Sequence, residues 1–215
     1  MSFLNQLKTQ AHAAQDARSQ QDASFEQNAK EVEAACRVVN HYFQDLARQL
    51  NVLEPASAPF TLDGKTPWPA MKMRDFRVDA RRKMLRDREM FDFVVIGWQV
   101  VPQMGKPVGG VVQVNFPPDL QRVESRLALG RVQHERKEIR HPEKNTLQEL
   151  RFEYITQTRG SVMVTADHEK GQLHFRLVNT AGFDIAELSW PAARVTNEVM
   201  DELAKRIVGQ PNRFV

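Results

Sequence analysis

LQELRFEYITQTRGSVMVTADHEKGQLHFRLVNTAGFDIAELSW, residues 147–190, alternates apolar and polar residues between regularly spaced turn signals. Val162 and Val164 alternate with Met163 and Thr165, and Leu173, Phe175 and Leu177 alternate with His174 and Arg176. A period of two places successive side chains on opposite faces of a strand. Turns are expected at Arg159-Gly160, at 167–171 and at 179–182, where Gly, Asp and Asn collect. Strands joined by short turns form an antiparallel meander, so this stretch argues for a β-rich domain whose last strand is 183–190.

Upstream, residues 90–101 are rich in Phe, Val, Ile and Trp and stop at Pro102. Gly105, Pro107, Gly109 and Gly110 then surround a turn before a further run at 111–116, so the two runs are expected to form a β-hairpin. Residues 71–89 fit either period: Phe76, Val78 and Ala80 alternate like a strand, whereas Met73, Phe76, Ala80 and Met84 would share a helical face. A strand paired with the next segment is the reading adopted. Pro117-Pro118-Asp119 opens a short helix with Leu120, Val123 and Leu127 on one face and Gly130 as its stop. Residues 131–140 are too charged for a central strand and read as an edge. After Pro191, Val199, Leu203 and Ile207 mark a C-terminal helix near 196–208.

The other strong periodicity lies near the N-terminus. Val32, Cys36, Val39, Phe43, Leu46, Leu50 and Leu53 follow one another in steps of four and three, which places them on one helical stripe. Pro55 ends that helix, because the residue before a proline is pushed out of the α region. Such a stripe packs either on the protein's own body or on a second copy. Residues 1–24 are thinner: Phe3, Leu4 and Leu7 form a small apolar patch, after which alanines are the only apolar residues before Phe25. Too little apolar surface is present there to offset the entropy of ordering the chain, so a frayed or partner-dependent helix is expected. Residues 54–70 carry four prolines and the turn pair Asp63-Gly64 and link the helix to the rest, held down by Phe60 and Trp68.

The expected fold is therefore α+β: a curved, mostly antiparallel sheet of about six to eight strands packed against a long N-terminal and a shorter C-terminal helix. Residues 1–54 form the helical segment and 55–215 the α+β domain. Of 215 residues, 41% are hydrophobic and 27% charged, within the range of folded globular chains. No run reaches the roughly 18 apolar residues a membrane helix needs, the N-terminus lacks a secretory core, and the single Cys36 can form no internal disulfide. A cytoplasmic protein without membrane partners is expected.

Reactive chemistry finds little footing. Asp63-Gly64-Lys65-Thr66 resembles the end of a phosphate loop, but Pro59 stands where its first glycine belongs, and Pro67 and Pro69 replace the following helix. Cys36 sits on the apolar stripe, as a small buried side chain does. His134, Glu138 and His141 would share a face only in a helix, and their segment reads as a strand. The polar triplet Asp167-His168-Glu169 reads as a solvated turn, and no GxSxG nucleophile motif occurs. No catalytic residue, metal ligand or cofactor is assigned.

The net charge of +3 is mild, so only local clustering could matter. Arg74, Arg77, Arg81, Arg82, Lys83, Arg86 and Arg88 crowd one segment, and arginine suits phosphate recognition. Asp75, Asp79, Asp87 and Glu89 are interleaved and can pair with them instead. The leading functional expectation is a non-enzymatic interaction or assembly protein, with a protein partner or a second copy held through the N-terminal helix. Two alternatives stand beside it: a binder of an apolar small molecule between sheet and helix, and a nucleic-acid-associated protein using the arginine segment.

Overall fold

The computed structural model of the chain describes residues 3–104 and 106–214. Its elements run α1 (Phe3–Leu53), β1 (Met71–Leu85), β2 (Arg88–Pro102), β3 (Gly109–Val114), α2 (Pro117–Leu129) and β4 (His134–Arg140). They continue through β5 (Leu147–Ile155), β6 (Thr158–Asp167), β7 (Gln172–Val178), β8 (Ile185–Pro191), a 3-10 turn (Ala192–Arg194) and α3 (Asn197–Ile207). The fold is α+β and its strand pairs are antiparallel. The eight strands divide between a five-stranded sheet of order β1-β2-β6-β7-β8 and a three-stranded sheet of order β3-β5-β4.

Residues 71–85 form a strand, paired with β2 through the two-residue turn Arg86-Asp87. Both turn residues have positive φ, 47° and 61°, the handedness that matches the twist of a hairpin. Asn-Gly is the usual choice there, so this turn left little mark in the sequence. The glycines at 105–110 drew the hairpin expectation to the wrong place. β2 pairs with β1 and β6, and β3 with β5 in the other sheet, so no hairpin joins 90–101 to 111–116.

Arg159 and Gly160, expected as a turn, lie inside β6. Only Thr156 and Gln157 separate β5 from β6, and they carry the chain from one sheet to the other. A Cβ at Gly160 would fall inside the Trp98 indole. The glycine answers close packing rather than a turn.

One face of the larger sheet, with Val94, Ile96, Val100, Val162, Val164, Leu173, Phe175 and Leu177, is buried. From α1, Val32, Ala35, Cys36, Val39, Phe43, Ala47 and Leu50 join that core, as do Met200, Leu203 and Ile207 of α3. Tyr42 donates to Asp201 across α1 and α3 at 2.6 Å. Leu46 is half-buried against the same core, whereas Leu53, the last residue of the helix, is 70% exposed. The linker packs down as expected: Phe60 and Trp68 are buried, and Trp68 stacks on Tyr154 with centroids 5.7 Å apart.

Beyond Phe93 the β1–β2 hairpin has no β6 neighbour. It lies along α1 instead, where Phe25, Ala29, Met90 and Leu85 form a second small core. N-terminal to Phe25, α1 continues as helix to Phe3 with every residue exposed. At about 1.5 Å per residue, residues 3–21 make an arm roughly 28 Å long.

Candidate functional site

The arginine segment does not form one patch. β1 alternates its side chains between faces, and a bulge between Arg81 and Arg82 shifts the phase. Arg74 lies 3.8 Å from Asp75, Lys83 pairs with Asp92 at 2.9 Å, and Arg82 stacks 4.4 Å over the ring of Phe91. Arg86 covers the ring of Phe25 at 3.7 Å and pairs with Asp22 at 3.0 Å, and Arg88 pairs with Glu26. Those last two residues tie the hairpin to α1. The hydrogen bond from Arg88 is the main reason that the Glu26 carboxyl is held below the ordinary carboxylate range. Arg77 and Arg81 have no acidic partner among the described residues.

Arg77 belongs to a different constellation, on the sheet face turned away from α1. The register aligns Arg77 of β1, Gly97 of β2, Ser161 of β6 and Val178 of β7 in one row across four strands. That row floors a cleft of about 590 Å³, with Arg159, Arg176 and Gln99 around it and Ala128, Leu129 and Arg131 opposite, at the end of α2. Four arginines and one carboxylate, Asp75, line it. Arg176 pairs with Glu187 at 2.9 Å. The side chains of Arg77, Arg131 and Arg159 make no hydrogen bond or ion pair with another side chain among the described residues. Arg77 belongs to the arginine segment singled out in the sequence, but Arg131, Arg159 and Arg176 come from the turn after α2, β6 and β7, which is why no sequence cluster announced them.

Local structure sets two features of this cleft. α2 ends with Val132 N–H donating to Leu127 C=O at 2.9 Å and Arg131 N–H to Ala128 C=O at 3.1 Å, the pattern in which the residue after the cap is left-handed and usually glycine. Here Arg131 takes that conformation, with φ 47°, at a cost of about 1 kcal/mol relative to glycine. The neighbouring Gly130, expected as the stop, has φ −75°. It is glycine because a Cβ there would meet Phe183 and Thr158 Oγ1. At Gly97 the opposite holds: a Cβ would have ordinary contacts only, 3.7 Å from Gly160 O and 4.0 Å from Ser161 Cβ. Packing does not demand this glycine, and its bare backbone leaves the cleft floor open. Trp98, which also borders the cleft, is buried, and its indole N–H has no hydrogen-bond partner among the described residues.

A second recess of about 620 Å³ lies between α1 and the hairpin, bordered by Glu26, Lys30, Glu33 and Arg88 among others. Beside it stands a polar pair that the sequence did not reveal, a buried histidine against a half-buried carboxylate. His168, expected in a solvated turn, is 2% exposed, and its Nε2 lies 3.2 Å from Glu33 Oε1. The same oxygen accepts the Phe91 N–H at 2.7 Å. Asn28 donates to Glu169 C=O at 2.8 Å. α1 is thus hydrogen-bonded both to the β6–β7 turn and to β2.

Cys36 is fully buried, and burial, with the Glu33 carboxylate nearby, pushes its thiol up to about 12. A thiol with so little thiolate at neutral pH is a poor nucleophile. Asp63 in the false phosphate loop is partly desolvated, which raises its pKa. N–H groups of Thr66 and Lys65 and hydroxyls of Thr66 and Thr61 outweigh that and hold it at about 2. It is a turn-organising carboxylate.

Among the described residues no group of three or more His, Cys, Asp or Glu is arranged to hold a metal ion. No helix among them is long and apolar enough to cross a membrane. Comparison of the chain with known family models, with curated proteins and with solved structures finds no match.

Proposed function

We propose that the chain is a non-enzymatic interaction protein that self-associates through its helical arm, residues 3–21. The carrying observation is an exposed apolar patch near the tip of the arm, on the same face of the helix as the buried stripe. At about 100° per residue, Leu4, Leu7, Ala11 and Ala14 fall within about 60° of the direction of Phe25, where the buried stripe begins. Arg18 and Gln21 interrupt that face between Ala14 and Phe25, and beyond them it is apolar again and uncovered to the tip of the arm, where Phe3 and Leu4 are 73% and 58% exposed. An isolated helix of this length and composition is marginal in water, so a partner surface stabilises it.

A second copy suits that surface. In an antiparallel pair, the bulky Leu4 and Leu7 of one arm lie over the small Ala11 and Ala14 of the other. The nucleic-acid reading has less support, because most charges of the arginine segment pair within the chain. The apolar-ligand reading has less as well, because four charged side chains, Glu26, Lys30, Glu33 and Arg88, stand around the recess beside α1.

Sedimentation velocity of the full chain, of a chain lacking residues 3–21, and of Leu7→Asp tests the proposal. The full chain is expected to be dimeric and both variants monomeric, with melting temperatures close to that of the full chain. A full chain that is monomeric at high micromolar concentration, or a dimer that survives Leu7→Asp, refutes it.

A further inference from the structure

We infer that the cleft between the end of α2 and the outward face of the five-stranded sheet binds a small organic phosphate, a phosphomonoester carried on a compact, partly apolar body. This site is independent of the arm. Its size, about 590 Å³, is that of a small-molecule pocket.

The charge distribution names the ligand's polar end. Elsewhere on the molecule the arginines are largely used: Arg82 and Arg86 cover aromatic rings, and Arg88, Arg122, Arg136 and Arg140 hold carboxylates. Arg77, Arg131 and Arg159 are directed at one cleft from three separate elements and have no acidic partner among the described residues. A guanidinium presents its donors as a planar fork that fits phosphate oxygens. Three such groups, with a fourth in Arg176, exceed what a single carboxylate needs and suit a doubly charged phosphoryl group. Arg131 strengthens the assignment, because an arginine occupies a left-handed position where glycine would be easier.

The remaining walls name the rest of the ligand. Ala128, Leu129 and Val178 are apolar, and Ser161 and Gln99 supply a few polar contacts. Gly97, which the packing does not require, gives the ligand access to the sheet floor. This combination, a short apolar side formed by Ala128, Leu129 and Val178 beside a group of guanidinium ions, orients an apolar body behind an anchored anion.

Isothermal titration calorimetry of the full chain at low ionic strength tests this with phenyl phosphate as the probe and inorganic phosphate and benzoate as comparisons. Phenyl phosphate should bind with micromolar to millimolar affinity, more tightly than either comparison, and more weakly as salt rises. Arg77→Gln and Arg159→Gln should each weaken it by about ten-fold or more. Arg176→Gln should weaken it less, since Arg176 already holds Glu187. Gly97→Val should abolish binding while the melting temperature stays within a few degrees of the parent, because a β-branched residue is at home in a strand.

Four outcomes would overturn the inference. One is no heat with phenyl phosphate. The second is equal affinity for benzoate, which would mark a general cationic surface. The third is phenyl phosphate binding that persists in a folded Gly97→Val chain. The fourth is tight binding of a single-stranded oligonucleotide that Gly97→Val leaves unchanged.

Discussion

Replacing Glu33 by alanine removes one oxygen that serves two buried partners. Glu33 Oε1 accepts the Phe91 N–H at 2.7 Å and faces His168 Nε2 at 3.2 Å. Phe91 is 4% exposed and the His168 side chain 1%, while Glu33, 15% exposed, borders the recess beside α1, so water entering from that recess replaces the lost acceptor only in part. An orphaned buried N–H costs about 1–3 kcal/mol, and the imidazole, whose Nδ1 is already unpartnered, incurs a similar penalty. Glu33→Ala should therefore destabilise by about 2–5 kcal/mol, a large part of the 5–15 kcal/mol typical of a folded domain. Glu33→Gln keeps an oxygen for Phe91 and an amide that can donate to a neutral imidazole, so its cost should be near 1 kcal/mol. Urea melts of the two variants, of His168→Ala and of the double Glu33→Ala/His168→Ala chain give the coupling directly, expected at about 1–3 kcal/mol. If Glu33→Ala melts within about 0.5 kcal/mol of the parent, or glutamine is as damaging as alanine, the pair does not fasten α1 to the sheet.

Other expectations follow from burial. Phe43 is 0% exposed on the α1 stripe, and Phe43→Ala should cost about 3–5 kcal/mol in a urea melt, whereas a loss below about 1 kcal/mol would remove this helix from the core. The two cleft glycines should respond oppositely to alanine. Gly97→Ala has room and should leave stability unchanged or raise it by about 0.5–1 kcal/mol. Gly160→Ala drives a methyl into Trp98 and should destabilise by about 1–3 kcal/mol or more, and equal thermal shifts for the pair would contradict the packing described.

Local pattern was enough to read several elements of this protein. The steps of three and four from Val32 to Leu50 define a helix face, because a helix repeats every 3.6 residues wherever it lies. The alternation through β6 and β7 defines strands for the same local reason, and Pro55 and Pro102 close their elements because proline's ring constrains its neighbours regardless of context. The α+β class and the apolar-poor first residues were legible on those grounds, whereas the arginine segment finds most of its partners not in the interleaved Asp79, Asp87 and Glu89 but in Asp22, Glu26 and Asp92.

Strand partnership was not legible, because it depends on which segments meet in space. β3 and β5 left the expected hairpin and meander to form a second sheet, and the turn that mattered, Arg86-Asp87, lacked the glycine that would have announced it. Glycines themselves misled where their cause was a distant side chain: Gly160 makes way for Trp98, and Gly130 for Phe183 and Thr158. The same separation hid the sites. His168 and Glu33 stand 135 residues apart in the chain, and Arg77, Arg131, Arg159 and Arg176 lie in four different segments. A site assembled from single residues on separate elements carries no motif, since only the sheet register and the end of α2 bring those guanidinium groups to one cleft.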